Sequence, residues 1–319
     1  MKTPKPRFIA HAYHGSSTKA AGTAGAAVEA CRNGLKPDVI IGVSGGAILA
    51  VPMALGMYEE ALEFSRDMRM SDWFDIPPVN DKGGVTWAAI GRVLRSVWGA
   101  IFGWGKRKPI YSLGVQNTQR KLSEIVTAEI FEKYKTGKQY PTCFIVSVDW
   151  CSRALRVRSA KDLTYQQYLD AVHCSAVLPI SSTGGRVDSG ALEFDGGLWT
   201  QNPSWWLLEN PLFAEAITDL VSIYVSPDNN MQPDQTEPQN IVAAAMGTID
   251  IMQQVSYIEE EKEERKNCER FGIYLYEPRL PLVLIGKYDT NPERLEYLQR
   301  MGGVVMQEEI ERRKQKEKQ

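Results

Sequence analysis

Short apolar runs alternate with segments of helical periodicity near the start of the chain. Residues 7–13 and the β-branched run at residues 39–41 predict two short strands, the second of the kind buried in parallel sheets. The stretch between them is rich in small residues and predicts a helix over residues 18–32. A second helix is expected from residue 47 to about residue 68, kinked at Pro52. This order of elements is typical of an α/β sheet.

Further strands and helices are predicted after residue 140. They are a strand at residues 142–150, a hairpin partner at 155–157, a helix at 165–174, a strand or hairpin at 186–194, a strand at 220–225, a helix at 241–270, short strands around 273 and 283, and a last helix from 292. The charge run EEEKEER within the predicted helix at residues 241–270 has mixed signs that favour a solvated helix face. One α/β domain over residues 1–319 accounts for all of these elements.

Two segments stand apart from this pattern. Residues 309–319 are strongly charged and are expected to fray. Residues 72–110 are rich in Trp and Gly and are predicted to form an insertion or lid. Apolar side chains of the insertion share one helical face: Trp87, Ile90, Leu94, Val97, Trp98 and Ile101. Basic residues follow directly: Lys106, Arg107 and Lys108. This arrangement is typical of a helix that contacts an anionic membrane surface, and equally of a helix packed on its own core.

The composition narrows the class of protein. The 319 residues are 43% hydrophobic and carry a net charge of −2, which fits a globular protein and argues against nucleic-acid binding. Five widely spaced cysteines without a C-x-x-C pair indicate reduced thiols, with neither a zinc site nor a disulfide framework. The N-terminus has no apolar run of a secretory signal, and no stretch of about 18 apolar residues occurs. We expect a cytoplasmic protein with at most peripheral membrane contact.

The pentapeptide Gly42-Val43-Ser44-Gly45-Gly46 matches the pattern G-x-S-x-G between the predicted strand and the second helix. In this pattern a serine sits on a tight turn that exposes its Oγ, and the glycines remove Cβ atoms that would collide with backbone. The helix N-terminus that follows favours a developing oxyanion. The alternatives are an ordinary Gly-rich turn between strand and helix and a phosphate loop, although both the Gly-Lys-Ser/Thr end of a P-loop and the G-x-G-x-x-G spacing are missing. We therefore interpret Ser44 as a nucleophile.

A serine nucleophile needs a base within hydrogen-bond reach. The three histidines are His11, His14 and His173, and none lies in the late position that an α/β-hydrolase triad uses. A triad would have to pair His173 with an earlier acid such as Asp149, or use one of the N-terminal pair, His11 and His14. A partly desolvated carboxylate can serve instead, and Asp195 follows a predicted strand in a Phe-Asp-Gly-Gly sequence. The simpler interpretation of that sequence is an Asp-Gly turn.

Together these motifs resemble those of the patatin-like phospholipase family, in which a glycine-rich loop, a G-x-S-x-G elbow and a later Asp-Gly-Gly follow in this order. The family's loop pattern, Gly-Gly-Gly-x-Arg/Lys-Gly, falls on residues 15–20, and the elbow serine then falls on Ser44. The Asp-Gly-Gly motif falls on residues 195–197. The segment AVLPISS at residues 176–182 is similar to the loop that precedes this motif in the family.

The resemblance implies a three-layer α/β sandwich with a mostly parallel central sheet and helices on both faces. It implies a dyad of Ser44 and Asp195 that hydrolyses acyl esters of phospholipids or related lipids, without metal or cofactor. The glycines that support the two motifs are Gly42, Gly46, Gly196 and Gly197. The N–H groups implied for the oxyanion hole are those of Gly15, Ser16, Ser17 and Gly45, with Lys19 as an additional anion contact.

The chain departs from the family pattern in its glycine-rich loop. Ser16 and Ser17 stand where the family has glycine, and Ala20 replaces the last glycine. Serine N–H groups can still donate, provided that the loop needs no positive φ there. For this reason a catalytically impaired relative that binds a lipid or a partner stays open as a hypothesis. A general esterase or thioesterase stays open as well, because its chemistry is the same. A nucleotide-binding protein is the least favoured.

Overall fold

A computed structural model of the protein describes residues 5–15, 19–67, 69, 71, 74–76, 86–92, 94, 115–179, 182, 184–188, 190–224, 257–280 and 290–318. Much of the predicted insertion at residues 72–110 lies outside these ranges. The first part of the predicted helix at residues 241–270 and the predicted strand around residue 283 lie outside them as well.

The described strands are β1 (Ile9–Tyr13), β2 (Val39–Val43), β3 (Phe74–Ile76), β4 (Val115–Gln116), β5 (Thr142–Asp149), β6 (Leu155–Ser159), β7 (Glu193–Asp195), β8 (Asp219–Ile223) and β9 (Tyr274–Tyr276). Within the described residues, seven of these strands form one sheet. Six of them follow in the order β6-β5-β2-β1-β8-β9, and β7 pairs with β5. The strands from β5 to β9 along this order are parallel, whereas β6 and β7 run antiparallel to β5. Strands β3 and β4 form a separate antiparallel pair.

The described helices are α1 (Ala20–Arg32), α2 (Gly45–Ala54), α3 (Tyr58–Arg66), α4 (Thr118–Ile125), α5 (Ala128–Thr136), α6 (Tyr165–Ala176), α7 (Ser204–Glu209), α8 (Pro211–Ala216) and α9 (Pro292–Glu317). Residues 87–92 and 257–271 are also helical.

The helices cover both faces of the sheet because successive strand side chains point to opposite sides. In β2, Ile40 packs into a core built with α1, α2, α3, α6 and α9. Its neighbours Val39 and Ile41 pack into a second core built with α7, α8 and the 257–271 helix. Full burial of each such side chain contributes about 1.5–3 kcal/mol before entropy is counted. The predicted α/β architecture, with a mostly parallel sheet between two helical layers, is confirmed.

The helix predicted from residue 47 to about residue 68 is two helices, α2 and α3. Pro52 lies inside α2 without ending it. The chain turns instead at Gly56, whose φ of +74° is in the left-handed region that favours glycine. The prediction was wrong because Gly56 can leave the helical conformation at low cost and terminates the first helix.

The charged C-terminal tail also differs from its prediction. Helix α9 continues to Glu317, so most of residues 309–319 is helical rather than frayed. Ile310 is buried in the first core, and the guanidinium of Arg313 lies 3.8 Å from the ring centroid of Tyr274 in β9. These contacts with the sheet supply the tertiary stabilisation that a charged helix end lacks on its own.

Candidate active site

Ser44 is the single residue between the end of β2 and the start of α2. Its backbone has φ 56° and ψ −124°, a conformation that costs a non-glycine residue about 1–3 kcal/mol. Its side chain is largely buried, with 8% of the residue exposed. A strained serine at a strand–helix turn is the geometry that the G-x-S-x-G pattern predicts.

The glycines on either side of this turn are required by close approach of backbone. A Cβ on Gly42 would lie 2.5 Å from the carbonyl oxygen of Gly46. A Cβ on Gly46 would lie closer still to the carbonyl oxygen of Tyr13, at the end of the neighbouring strand β1. Any side chain at either position would therefore displace the turn that carries Ser44.

Asp195 is the last residue of β7 and is 3% exposed. Its carboxylate Oδ1 accepts a hydrogen bond from the N–H of Gly197 at 2.7 Å. Its own N–H donates to the carbonyl oxygen of Val177 at 2.8 Å. Both the backbone and the carboxylate of Asp195 are thus fixed by the chain around them.

The sheet register brings Asp195 to the end of β2. Ser147 of β5 pairs with Arg156 on β6 and with Asp195 on β7. Since a strand residue has only two neighbours in a sheet, β7 must lie on the β2 side of β5. There Val43 pairs with Val146, so Asp195 takes the next position, about 3.3 Å further along the edge.

Contacts of Gly196 support this placement. A Cβ on Gly196 would lie 2.8 Å from Cγ2 of Val43 and 2.6 Å from the carbonyl oxygen of Val146. Glycine is therefore needed where the Asp195 loop passes over the end of β2. Ser44 and Asp195, which are 151 positions apart in the sequence, leave the sheet at the same point.

The predicted oxyanion loop begins beside Ser44. A Cβ on Gly15 would lie 3.6 Å from Cβ of Ser44, so the two residues are neighbours in space. The N–H of Gly15 donates to the carbonyl oxygen of Gln201 at 3.3 Å. Ser16 and Ser17 lie outside the described residues, and Lys19 immediately precedes α1. Gly45 is the first residue of α2, where N–H groups have no carbonyl partner within the helix.

The histidines do not assemble a triad with Ser44 in the part of the chain that the structure describes. His11 bonds to Tyr13 and Leu35, His14 bonds to Ser222, and the buried Nδ1 atom of His173 has no described partner. Burial lowers the pKa of His11 and His173 to about 4 and that of His14 to about 3.

Asp149, the acid that a His173 triad would need, is bound elsewhere. Its Oδ2 accepts from Arg156 at 2.7 Å, and its Oδ1 accepts from the N–H groups of Cys151 and Ser152. These bonds, with the largest contribution from the N–H of Ser152, hold the pKa of the Asp149 carboxyl well below its usual range. Asp149 therefore stabilises the turn after β5 through these hydrogen bonds.

The sequence did not reveal that the 257–271 helix supports the site. Glu260 accepts hydrogen bonds from the N–H groups of Gln201 at 3.0 Å and Asn202 at 2.8 Å. Gln201 in turn donates from Nε2 to the carbonyl oxygen of Gly197 at 2.6 Å. Because Gln201 also accepts the Gly15 N–H, it joins the predicted oxyanion loop to the Asp195 loop.

Glu264 lies one helical turn beyond Glu260 and is buried. Its carboxylate accepts hydrogen bonds from three hydroxyl groups, those of Ser204, Ser222 and Tyr224. The run EEEKEER was predicted to be solvated, and this is wrong for Glu261 and Glu264, which are 4% and 1% exposed. The i,i+4 spacing of Glu260 and Glu264, which puts both on one helix face, was the only signal available.

Three further observations concern metal ligands, membrane-spanning helices and thiols. No group of three or more His, Cys, Asp or Glu side chains that could hold a metal ion occurs among the residues that the structure describes. Within the same residues, no helix has the length and apolar character needed to cross a membrane. All five cysteines are free, and only Cys151 is exposed.

Several hydrolase families combine an α/β sheet with a strained nucleophilic serine at the end of a parallel strand. Comparison with protein families assigns the chain to one of them, because the model of patatin-like phospholipases matches residues 12–208. The chain therefore belongs to the patatin-like phospholipase family. Membership makes it a lipid acyl hydrolase by family and implies a lipid substrate. Gly15, Ser44 and Asp195 all lie in the matched region.

Other comparisons add less. The solved structure of VipD from Legionella pneumophila is similar at a TM-score of 0.49 and 12% sequence identity, covering 97% of this chain and 67% of that one. No curated protein matches the chain.

Proposed function

We propose that this protein hydrolyses acyl ester bonds of phospholipids or related lipids through a Ser44 acyl-enzyme, with Asp195 as the base. The observation that carries the proposal is the shared exit point of the two residues. Ser44 turns out of β2 in a strained conformation, and Asp195 takes the next register position on the same edge of β5. A base fixed beside a nucleophile is what acyl transfer requires.

The reaction follows from this arrangement. The Asp195 carboxylate takes the proton of the Ser44 hydroxyl while Oγ attacks the ester carbonyl carbon. The tetrahedral intermediate then expels the alcohol, which receives the proton from Asp195, and the acyl group stays on Oγ. Water attacks the acyl-enzyme, Asp195 takes a proton from the water, and the fatty acid leaves as the proton returns to Oγ. The hydrogen bond from Gly197 fixes the carboxylate throughout.

Backbone N–H groups are the proposed stabilisers of the oxyanion. Gly45 at the helix N-terminus is one donor, and Ser16 and Ser17 of the loop are further donors. The N–H of Gly15 is bonded to Gln201 in this conformation and joins the hole once that carbonyl moves away. Lys19 remains the proposed contact for an anionic head group.

The helical segment at residues 87–92 supports contact with a lipid surface. Thr86 caps it by accepting the N–H of Ala89, and Ala89 is fully buried. At about 100° per residue, Trp87 and Leu94 lie roughly opposite Ala89, and Ile90 lies beside Leu94. Trp87, Ile90 and Leu94 are 86%, 36% and 54% exposed, so this face is not packed on the part of the core that the structure describes. We propose an anionic membrane surface as its partner. Trp98, Ile101, Lys106, Arg107 and Lys108 lie outside the described residues.

One observation favours a second candidate, a lipid-binding relative with impaired catalysis. The Gly15 N–H is already used by Gln201, and two loop glycines of the family are serines here. If the hole cannot open, the acyl-enzyme cannot form at a useful rate.

The test is fatty-acid release from mixed anionic phospholipid vesicles, combined with labelling by a fluorophosphonate probe. Ser44→Ala and Asp195→Asn are compared with wild type and with Ser65→Ala, a buried serine of α3 whose hydroxyl bonds to Leu62. We expect each dyad variant to lose at least about 10⁴-fold in release, because dyad members act as a unit. The Ser65→Ala control is expected to keep its activity.

Release by Ser44→Ala at the wild-type rate would refute the dyad. Vesicle binding by wild type without release or labelling would instead establish the lipid-binding candidate.

A further inference from the structure

The C-terminal end of α6 binds the backbone of both dyad residues. The N–H of Ser44 donates to Oγ of Ser175 at 3.0 Å, and the Ser175 hydroxyl donates to the carbonyl oxygen of Val146 at 2.6 Å. Two residues later, the carbonyl oxygen of Val177 accepts the N–H of Asp195 at 2.8 Å. Ser175 and Val177 are both fully buried, so these bonds are shielded from water.

The hydroxyl of Ser175 both accepts and donates a hydrogen bond at the end of the β2–β5 ladder, which a single backbone group cannot do. The parallel ladder between β2 and β5 ends with the pair of Val43 and Val146. Ser44 has turned away from that ladder, so its N–H needs another acceptor and the adjacent carbonyl of Val146 needs another donor. A hydroxyl supplies both at once, since it accepts one hydrogen bond and donates another.

These bonds bear directly on the strained turn. A positive φ at a serine persists only where the surroundings hold it, and the N–H of Ser44 is the group that φ orients. Loss of the Ser175 acceptor would leave that N–H buried without a partner and allow the turn to relax. Relaxation moves the Ser44 Oγ relative to Asp195, because the N–H of Asp195 remains hydrogen-bonded to the carbonyl oxygen of Val177.

We infer that Ser175 is a positioning residue for Ser44, which keeps the nucleophile in its strained conformation and in register with Asp195. It does not touch the reacting atoms in this role. The inference rests on the proposed function, because it assigns Ser175 a role in the same reaction. A misplacement of about 1 Å in a reacting group can cost about 100-fold in rate, which sets the size of the expected effect.

The experiment uses the full chain and measures vesicle hydrolysis and the rate of fluorophosphonate labelling. Ser175→Ala removes both hydrogen bonds, and Ser175→Cys keeps a γ atom, bulkier than the hydroxyl oxygen, that is only a weak donor and acceptor. Ser65→Ala is the matched control, because it truncates a serine of equal burial that bonds to Gln299 and Leu62. Thermal melting of each variant reports whether it is folded.

We expect kcat and the labelling rate of Ser175→Ala to fall about 10- to 100-fold with KM unchanged. Ser175→Cys should fall in the same way by a smaller factor, and it carries the test if Ser175→Ala does not fold. Ser65→Ala should lose melting temperature without loss of kcat. Wild-type kcat in a folded Ser175→Ala or Ser175→Cys would overturn the inference.

The two proposals fail separately. Activity that survives in Ser44→Ala would remove the dyad, and with it the role of Ser175. Activity that requires Ser44 and Asp195 but is unchanged by both Ser175 substitutions would remove only the positioning role.

Discussion

The helical segment at residues 87–92 exposes apolar side chains, whereas the helix at residues 257–271 buries charged ones. The first buries only Ala89 of its central residues and leaves Trp87 largely in solvent. The second, drawn from one of the most highly charged stretches of the chain, buries the carboxylate of Glu264 completely. An indole exposed to water and a carboxylate withdrawn from it are both unfavourable unless a partner offsets them.

The difference lies in the partner that each helix faces. Glu264 meets three hydroxyl groups and Glu260 meets two backbone N–H groups, so both carboxylates are satisfied within the fold. In the described part of the chain, nothing covers Trp87 to a similar degree, and we propose a lipid surface as its partner. Composition alone therefore does not decide which face of a helix is buried.

The largest expected effect comes from removing the buried carboxylate. Glu264→Ala should lower the free energy of unfolding by about 3–5 kcal/mol, because the hydroxyl groups of Ser204, Ser222 and Tyr224 lose their acceptor in a buried site. Glu263→Ala, one residue away, removes an exposed carboxylate paired with Lys266 and should change it by less than about 1 kcal/mol. Urea denaturation monitored by circular dichroism measures both, and equal losses would contradict the contrast.

A smaller effect is expected from acid, through His14 in the same cluster. Burial, assisted by the charge of Arg279, lowers the pKa of His14 to about 3. Below about pH 6.5 the unfolded chain takes up a proton that folded His14 does not, so stability falls as the pH falls. The loss is about 1.4 kcal/mol per pH unit for one such histidine. Glu264 has the opposite effect on the pH dependence of stability. Burial raises its pKa, so the folded state takes up the proton first as the pH falls.

His14→Gln isolates this contribution. The slope of unfolding free energy against pH between pH 6.5 and pH 5 should decrease, giving a difference of about 2 kcal/mol over this range. His11 and His173 keep their own contributions and serve as the internal reference. An unchanged slope in His14→Gln would show that His14 takes up its proton as readily in the folded protein as in the unfolded chain. The comparison uses slopes, so any constant loss of stability in the variant cancels.

Much of the fold was predictable because strand and helix signals are local. The β-branched run of β2 and the small-residue helix α1 were placed within a few residues, and the hairpin of β5 and β6 was anticipated. Ser44 and Asp195 were chosen as candidates from local motifs, whose glycines have the close contacts that such turns need. The break at Gly56 was missed because propensity ranks Pro52 as the stronger breaker, whereas tertiary packing tolerates that proline.

The supporting residues could not be predicted, since their roles depend on distant partners. Ser175 stands 131 positions from Ser44, and although it adjoins the family-like segment at residues 176–182, nothing in the sequence indicates a contact with Ser44. Glu260 and Glu264 sit in a mixed-charge run that predicts a solvated face. The pairing of β7 with β5, which brings Asp195 to the end of β2, is likewise not visible in a single sequence.

The smallest expected effect concerns the exposed helix face and leaves stability untouched. Trp87→Ser and Leu94→Ser should each weaken binding to anionic phospholipid vesicles by about tenfold, because each removes apolar surface that would enter the interface. Leu212→Ser is the matched control, since Leu212 is 81% exposed on α8. Sedimentation with vesicles of increasing anionic content measures binding, and the melting temperature should stay constant in all three variants. Equal loss in Leu212→Ser would mean that any exposed apolar side chain contributes, and the 87–92 face would then have no special role. Loss confined to Trp87→Ser and Leu94→Ser would place the lipid surface on this face and complete the contrast with Glu264, whose partners all lie inside the protein.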